Sequence, residues 1–177
     1  MKTEVLFYHK LEKDKAKCGV CPHNCQINPG KKGVCRVRIN LEGTLFATNY
    51  GEISSIALDP IEKKPLYHFH PGSMILSVGT VGCNFSCGFC QNYQIAHEDQ
   101  PTRYLSPKGL LAMARECEPR GSIGVAYTYS EPLMWHEYLS DVLPIIKAEG
   151  LKNVLVTNAY VNPEPLQKIL PDIDGIN

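Results

Sequence analysis

The sequence predicts an α/β chain: a partial parallel (β/α) barrel, truncated after about three and a half βα units, preceded by a small cysteine-rich β domain. Three observations carry this expectation. From Met74 onward, apolar runs (Met74 to Thr80, Ile123 to Tyr129, Val154 to Asn158) alternate with amphipathic stretches, as in parallel strands buried on both faces and crossed over by helices. Before Met74 the β-type runs are shorter and are punctuated by Asn40 to Gly43 and by Gly51-Glu52, which reads as an antiparallel meander. Seven of the 8 cysteines fall into two tight groups, one in each part. The boundary is placed after Gly72, giving a Cys-rich metal-binding and β-meander region over 1–72 and the N-terminal part of the barrel over 73–177.

Composition narrows the class. The chain has 177 residues, 44% of them hydrophobic, enough to bury a real core. Lys plus Arg and Asp plus Glu are 18 each, so net charge draws the chain to neither nucleic acid nor an anionic membrane. No apolar run reaches about 18 residues and no charged-then-apolar leader opens the chain, so a cytoplasmic protein without a membrane span is expected. In that reducing compartment, grouped cysteines read as metal ligands rather than disulfides.

Taken in order, Met1 to Lys17 reads as a short lysine-rich surface helix or arm. Cys18, Cys21, Cys25 and Cys35 follow in a C-x2-C-x3-C-x9-C pattern inside a Gly/Pro-containing loop. Four soft ligands so spaced can close around one centre with little supporting core. Zinc leads, an auxiliary iron–sulfur cluster is the rival, and free thiols remain open; His23 stands either as a substitute ligand or in a plain turn. Arg36 to Ile39, Thr44 to Tyr50 and Ile53 to Leu58 supply the meander strands. Between Asp59 and Gly72 lies a proline-punctuated connection in which His68 and His70, flanking Phe69, read as packing or substrate-edge residues.

The first barrel strand, Met74 to Thr80, runs into Cys83, Cys87 and Cys90, spaced C-x3-C-x2-C. One short loop thus supplies three thiolates, where a cubane of four irons takes four ligands, so one iron is left open to a small molecule. Zinc is the weaker reading, because no second knuckle follows. Ser106 caps a helix with Pro107 at its first position and Leu110, Leu111 and Ala114 on one face. Cys117 ends that helix as a small buried hydrophobe. Ile123 to Tyr129 forms the second strand. Pro132 to Ala148 forms a helix that turns Leu139, Val142, Leu143 and Ile146 inward and carries Pro144 inside it. Val154 to Asn158 is the third strand, Asn162 caps a helix opened by Pro163, and Ile173 to Asn177 begins a fourth.

Barrel chemistry sits at the carboxyl ends of strands, so the cysteine loop, Thr128 to Pro132 and Thr157 to Tyr160 are expected to face one another. Glu131 is placed there either to accept from a ligand ammonium or as a first-turn helix carboxylate. Asn158 bonds ribose hydroxyls or holds the turn before Tyr160.

These runs resemble a known family. Cys21-Pro22-His23-Asn24-Cys25, Asp59 through Phe69, Val81-Gly82-Cys83-Asn84-Phe85 and Tyr127 through Pro132 are similar to the radical S-adenosylmethionine (SAM) enzyme of the AmmeMemoRadiSam system, a relative of the pyruvate formate-lyase activating enzymes. The resemblance implies a barrel of the radical SAM type, and a [4Fe-4S] cluster on Cys83, Cys87 and Cys90 with SAM on the open iron. It further implies Phe89 against the adenine, Asn158 at the ribose, and Ser130-Glu131-Pro132 in the place where many relatives carry Gly-Gly-Glu. Tyr129 and Ser130 depart from those glycines, so only Glu131 carries over. Reductive SAM cleavage to a 5′-deoxyadenosyl radical follows from the same likeness, with an electron donor such as flavodoxin or ferredoxin and with hydrogen abstraction from a substrate, a protein in the activating-enzyme case. The competing class is an iron–sulfur electron relay or metal-binding scaffold without SAM chemistry, which has no need of Glu131. The roughly 105 residues after Gly72 fall well short of the about 250 of a complete barrel, which predicts a C-terminal truncation and an exposed last strand.

Overall fold

In the computed structural model, which describes residues 2–177, the architecture is built on one open five-stranded sheet. The N-terminal part holds β1 (Thr3–Glu4), β2 (Tyr8–Lys10), β3 (Ala16–Cys18), β4 (Gln26–Ile27), β5 (Arg38–Leu41), β6 (Thr44–Ala47), β7 (Glu52–Ile53) and β8 (Ser55–Pro60). After it come β9 (Met74–Gly79), α1 (Tyr93–His97), β10 (Arg103–Tyr104), α2 (Pro107–Cys117), β11 (Ser122–Tyr127), α3 (His136–Ala148), β12 (Lys152–Leu155), α4 (Pro163–Ile169) and β13 (Gly175–Ile176). The five-stranded sheet runs β13-β12-β11-β9-β8: β9, β11, β12 and β13 are parallel neighbours in chain order, and β8 lies antiparallel on the outer edge of β9. The sheet does not close into a barrel among the described residues.

Two expectations need correction. The lysine-rich start is neither helix nor arm: β1 pairs with β6, and β2 pairs with β3, which pairs in turn with β4. Val5 is buried at 2% exposure and its N–H donates to the Leu45 carbonyl at 2.9 Å. Lysines at the surface of the three-stranded β2-β3-β4 sheet hide the strand signal, and β6, the partner that satisfies the backbone of β1, is remote in sequence. Nor is the region after Cys35 a continuous meander. β5 and β6 form a hairpin through Glu42 and Gly43, both at positive φ (51° and 83°), the mirror-image turn that matches strand twist. β8, by contrast, leaves that unit and covers the free edge of β9 over its full length, from Ser55 opposite Gly79 to Pro60 opposite Met74.

The helices follow the local signals. Ser106 Oγ accepts from the Gly109 N–H at 3.1 Å, with Pro107 at the first helical position of α2. In α3, which runs unbroken through Pro144, Leu139, Val142, Leu143 and Ile146 have no exposed surface, each contributing about 1.5–3 kcal/mol by burial. A 3-10 turn, Pro132–Trp135, precedes α3 where an uninterrupted helix was expected. Asn162 stands at the cap position of α4 without capping it; its Nδ2 donates to the Gly19 carbonyl at 2.8 Å and ties that helix to the first cysteine loop. One apolar core joins both halves, from Val5 and Leu45 through Val78 to Leu139 and Ile169.

Candidate functional site

The carboxyl ends of β9, β11 and β12 converge on a cleft of about 320 Å³, lined among others by Cys83, Cys87, Cys90, Tyr129, Glu131 and Asn158. A larger cavity of about 620 Å³, between Arg36, Gly82 and Glu98, contains none of the three cysteines, so the smaller cleft is where the chemistry concentrates. Two glycines let the loops approach. A Cβ on Gly79 would stand 2.8 Å from the Thr128 carbonyl oxygen and 2.9 Å from Tyr129 Cβ, and one on Gly82 (φ 93°) would stand 2.6 Å from Val37 Cγ1.

Glu131 is the buried acid of this cleft, 3% exposed. Its Oε1 accepts from the Leu133 N–H at 2.9 Å and from Thr157 Oγ1 at 2.6 Å, and its Oε2 from the Asn158 N–H at 2.8 Å. Burial raises its carboxyl above the usual range, against the three donors, which act to lower it. Glu131 stands at the N-cap of the 3-10 turn rather than inside its first turn, and it lines the same cleft as the three cysteines. The Asn158 side chain donates to Asn84 Oδ1 at 2.9 Å and accepts from the Tyr160 N–H at 2.9 Å, so it holds the turn before Tyr160.

Asn84, which the sequence reading passed over, is the hub. At 1% exposure it donates to the Tyr160 carbonyl at 2.9 Å, and its own carbonyl lies 2.9 Å from His23 Nε2, which donates because a carbonyl only accepts. A chain of hydrogen bonds therefore runs from the cysteine loop through Asn84 and Asn158 to Glu131. The only signal in the sequence was an amide beside Cys83, in a loop where a polar side chain must be satisfied locally once buried. His23 packs edge-on against Tyr160 as well, and so serves as a buttress. Phe89 is 89% exposed at the tip of the loop. His70 packs against Phe69, in keeping with a packing role.

A second group missed by sequence reading shapes the cleft wall. Tyr129 adopts a left-handed backbone (φ 70°), its hydroxyl donates to Asp59 Oδ2 at 2.9 Å, and the Lys64 ammonium lies 5.1 Å from its ring centre. Asp59 also accepts from Lys63 at 2.9 Å and from the buried Lys64 at 2.7 Å. Burial acts against its charge, but these three donors outweigh burial and hold the carboxyl well below the usual carboxylate range. A depressed carboxylate contributes stability at pH above its unfolded value, about 3.9, and that contribution is lost as pH falls through the folded value. Thermal stability is accordingly expected to drop on acidification from about pH 4, and Asp59→Asn to start less stable with a shallower acid dependence. Equal slopes in parent and variant would contradict this assignment.

The cysteines fit an open-site cluster by donor chemistry. Cys83, Cys87 and Cys90 are free thiols on one cleft, with no fourth cysteine or histidine lining it. Burial raises the Cys83 thiol, while the Phe85 N–H, 3.4 Å from its sulfur, favours the thiolate. Among the described residues no three His, Cys, Asp or Glu side chains stand together as a ready-made site for a single metal ion. A cubane differs in placing each thiolate on a separate iron. Among the described residues no helix is long and apolar enough to cross a membrane.

A family model described as the Radical SAM superfamily matches residues 77–177. The chain is also 40% identical over 179 residues to an uncharacterized protein of Methanocaldococcus jannaschii, a match covering 98% of this chain and 52% of that protein. The chain thus spans about half the length of that relative.

Proposed function

The chain belongs to the radical SAM superfamily, a family of partial β/α barrels, and from that premise we propose that it cleaves SAM reductively at a [4Fe-4S] cluster held by Cys83, Cys87 and Cys90. The observation that carries the reading is the single cleft on which three thiols of one loop and the buried Glu131 meet. When bound and reduced, the cluster supplies the electron that splits SAM into methionine and a 5′-deoxyadenosyl radical, which takes a hydrogen atom from the substrate. The chain's own residues bind and orient. Glu131 Oε2 keeps a lone pair beyond the Asn158 N–H and so can accept from the ammonium of SAM. Asn158, already tied to Asn84, holds the turn against which the ribose would lie, and the exposed Phe89 is available to cover the adenine.

The finer assignment, an AmmeMemoRadiSam-type enzyme similar to pyruvate formate-lyase activating enzymes, rests on the motif runs from Cys21 to Pro132. A protein substrate and a flavodoxin or ferredoxin donor belong to the same proposal. Glu131→Gln is expected to weaken SAM binding about 10–100-fold, the loss of one charged hydrogen bond at about 1.5–3 kcal/mol. Because an ammonium is held more strongly by the ionised carboxylate than by the neutral acid, affinity in the parent should also decline as pH falls toward the raised value of Glu131. Equilibrium dialysis of the reconstituted protein measures both, and a change within twofold would remove Glu131 from the SAM site.

The deciding experiment is anaerobic reconstitution of this chain followed by SAM and a reductant, with 5′-deoxyadenosine as readout. Formation of 5′-deoxyadenosine supports the reading. Iron incorporation without it would return the chain to the electron-relay class.

A further inference from the structure

Arg38 is buried in the N-terminal half at 1% exposure, and arginine is almost never fully buried unless it is paired. It forms an ion pair at 2.7 Å with Glu137, itself 3% exposed, but the approach is off-line for a hydrogen bond, and Nε and Nη1 find no acceptor among the described residues. Orphaned donors on a buried cation are costly unless something anionic faces them. Within electrostatic reach of the guanidinium, beside Glu137 and His136, stand the thiols of Cys35, Cys18 and Cys21. These three are each 7% exposed and free, and Cys25 packs against the same core cluster.

The backbone has already gathered these cysteines. The Cys18 N–H donates to the Cys25 carbonyl at 3.0 Å, the Asn24 N–H to the Cys21 carbonyl at 3.0 Å, and the Gly33 N–H to the Arg38 carbonyl at 2.9 Å. A Cβ on Gly33 would lie 3.6 Å from the Cys25 sulfur, so the second half of the loop runs directly over the first. Two charges on one arginine and one glutamate would neutralise each other and leave no use for the remaining guanidinium donors. Four thiolates around a metal carry net negative charge and present sulfur acceptors.

We propose that Cys18, Cys21, Cys25 and Cys35 hold an anionic metal–thiolate centre, separate from the cleft of Cys83, Cys87 and Cys90, and that Arg38 is its buried counter-charge and hydrogen-bond donor. The centre also backs the other loop. The Cys35 carbonyl oxygen would lie 2.8 Å from a Cβ on Gly82, and His23, between Cys21 and Cys25, reaches the Asn84 carbonyl. In the present geometry the side chains form no ready-made single-ion centre among the described residues, and a bound metal would have to draw the thiolates together. Iron–sulfur and zinc share this ligand chemistry, and experiment separates them.

The test removes the other site first, so that it stands apart from the SAM reading. A Cys83→Ala/Cys87→Ala/Cys90→Ala chain, purified anaerobically, is expected to retain either about four irons with acid-labile sulfide and visible absorption or about one zinc without colour. Cys18→Ser/Cys21→Ser in that background should then abolish either signal. A triple variant carrying no tightly held metal overturns the centre. For Arg38, the volume-conserving Arg38→Met/Glu137→Met pair removes both charges together, because exchanging a buried ion pair for packed apolar side chains is commonly tolerated. Metal retention against a chelator is expected to fall about 10–100-fold, as for other partners that orient and compensate metal ligands. Arg38→Lys, which keeps the charge and the pairing with Glu137, should retain metal better than Arg38→Gln, a comparison that stands whether or not the double variant folds. Equal retention in Lys and Gln variants, or in the double variant and its parent, overturns the role of Arg38.

Discussion

Replacing any one of Cys83, Cys87 or Cys90 with serine is expected to abolish 5′-deoxyadenosine formation and to strip most of the iron from the cleft. The reason is ligand count. One loop supplies three thiolates, Cys83, Cys87 and Cys90, and the cleft holds no spare cysteine or histidine that could substitute. A serine hydroxyl is harder, ionises far less readily and binds iron less well than a thiolate. Asn84 and Asn158 keep the loop tied to the turn that follows β12 in each variant, so the fold should persist while the metal is lost. Circular dichroism and cooperative unfolding close to the parent, together with lost iron, are therefore the expected pair of results. Full SAM cleavage in a single serine variant would overturn that cysteine's assignment.

Trp135→Ala should be the most damaging single change to stability away from the metal ligands. Trp135 is 1% exposed, stacks on Tyr138 with ring centres 4.3 Å apart and planes at 15°, and donates from Nε1 to the Asn49 carbonyl at 2.6 Å. Its removal opens a cavity at the junction of the N-terminal hairpin and α3, at about 3–5 kcal/mol for a buried aromatic, and leaves the Asn49 carbonyl without that donor. Against a typical total of about 5–15 kcal/mol, that is a large share. Trp135 also ends the 3-10 turn that begins beside Glu131, where the Met134 N–H donates to the Glu131 carbonyl at 3.1 Å. SAM affinity is expected to decline with stability. Urea unfolding measures the first effect; a destabilisation under about 1 kcal/mol would show that the site repacks more readily than the geometry indicates.

Local signals alone determined much of the barrel half. Apolar runs marked β9 and β11 because a strand buried on both faces has no polar alternation, whereas β12 begins two residues before the apolar run that opened at Val154. Ser106-Pro107 marked the start of α2 and period-3.6 spacing marked the inward face of α3, because caps and helix faces are properties of neighbouring residues. The spacing of Cys83, Cys87 and Cys90 and the place of Glu131 were legible for the same reason: the strand-end rule converts chain order into position around a cleft. Only the tertiary structure decided the rest. Among the strands of the first 18 residues, β1 exists because the distant β6 offers a backbone partner that no local pattern encodes, and β3 is held between β2 and β4. β8 joins the main sheet rather than a meander because the outer edge of β9 was open. Asn84, Asp59 and Arg38 look like ordinary polar residues in the sequence. Each becomes significant when folding removes it from water and confines its partners to side chains and carbonyls distant along the chain, since a buried polar group or charge is sustained only by what the fold sets against it.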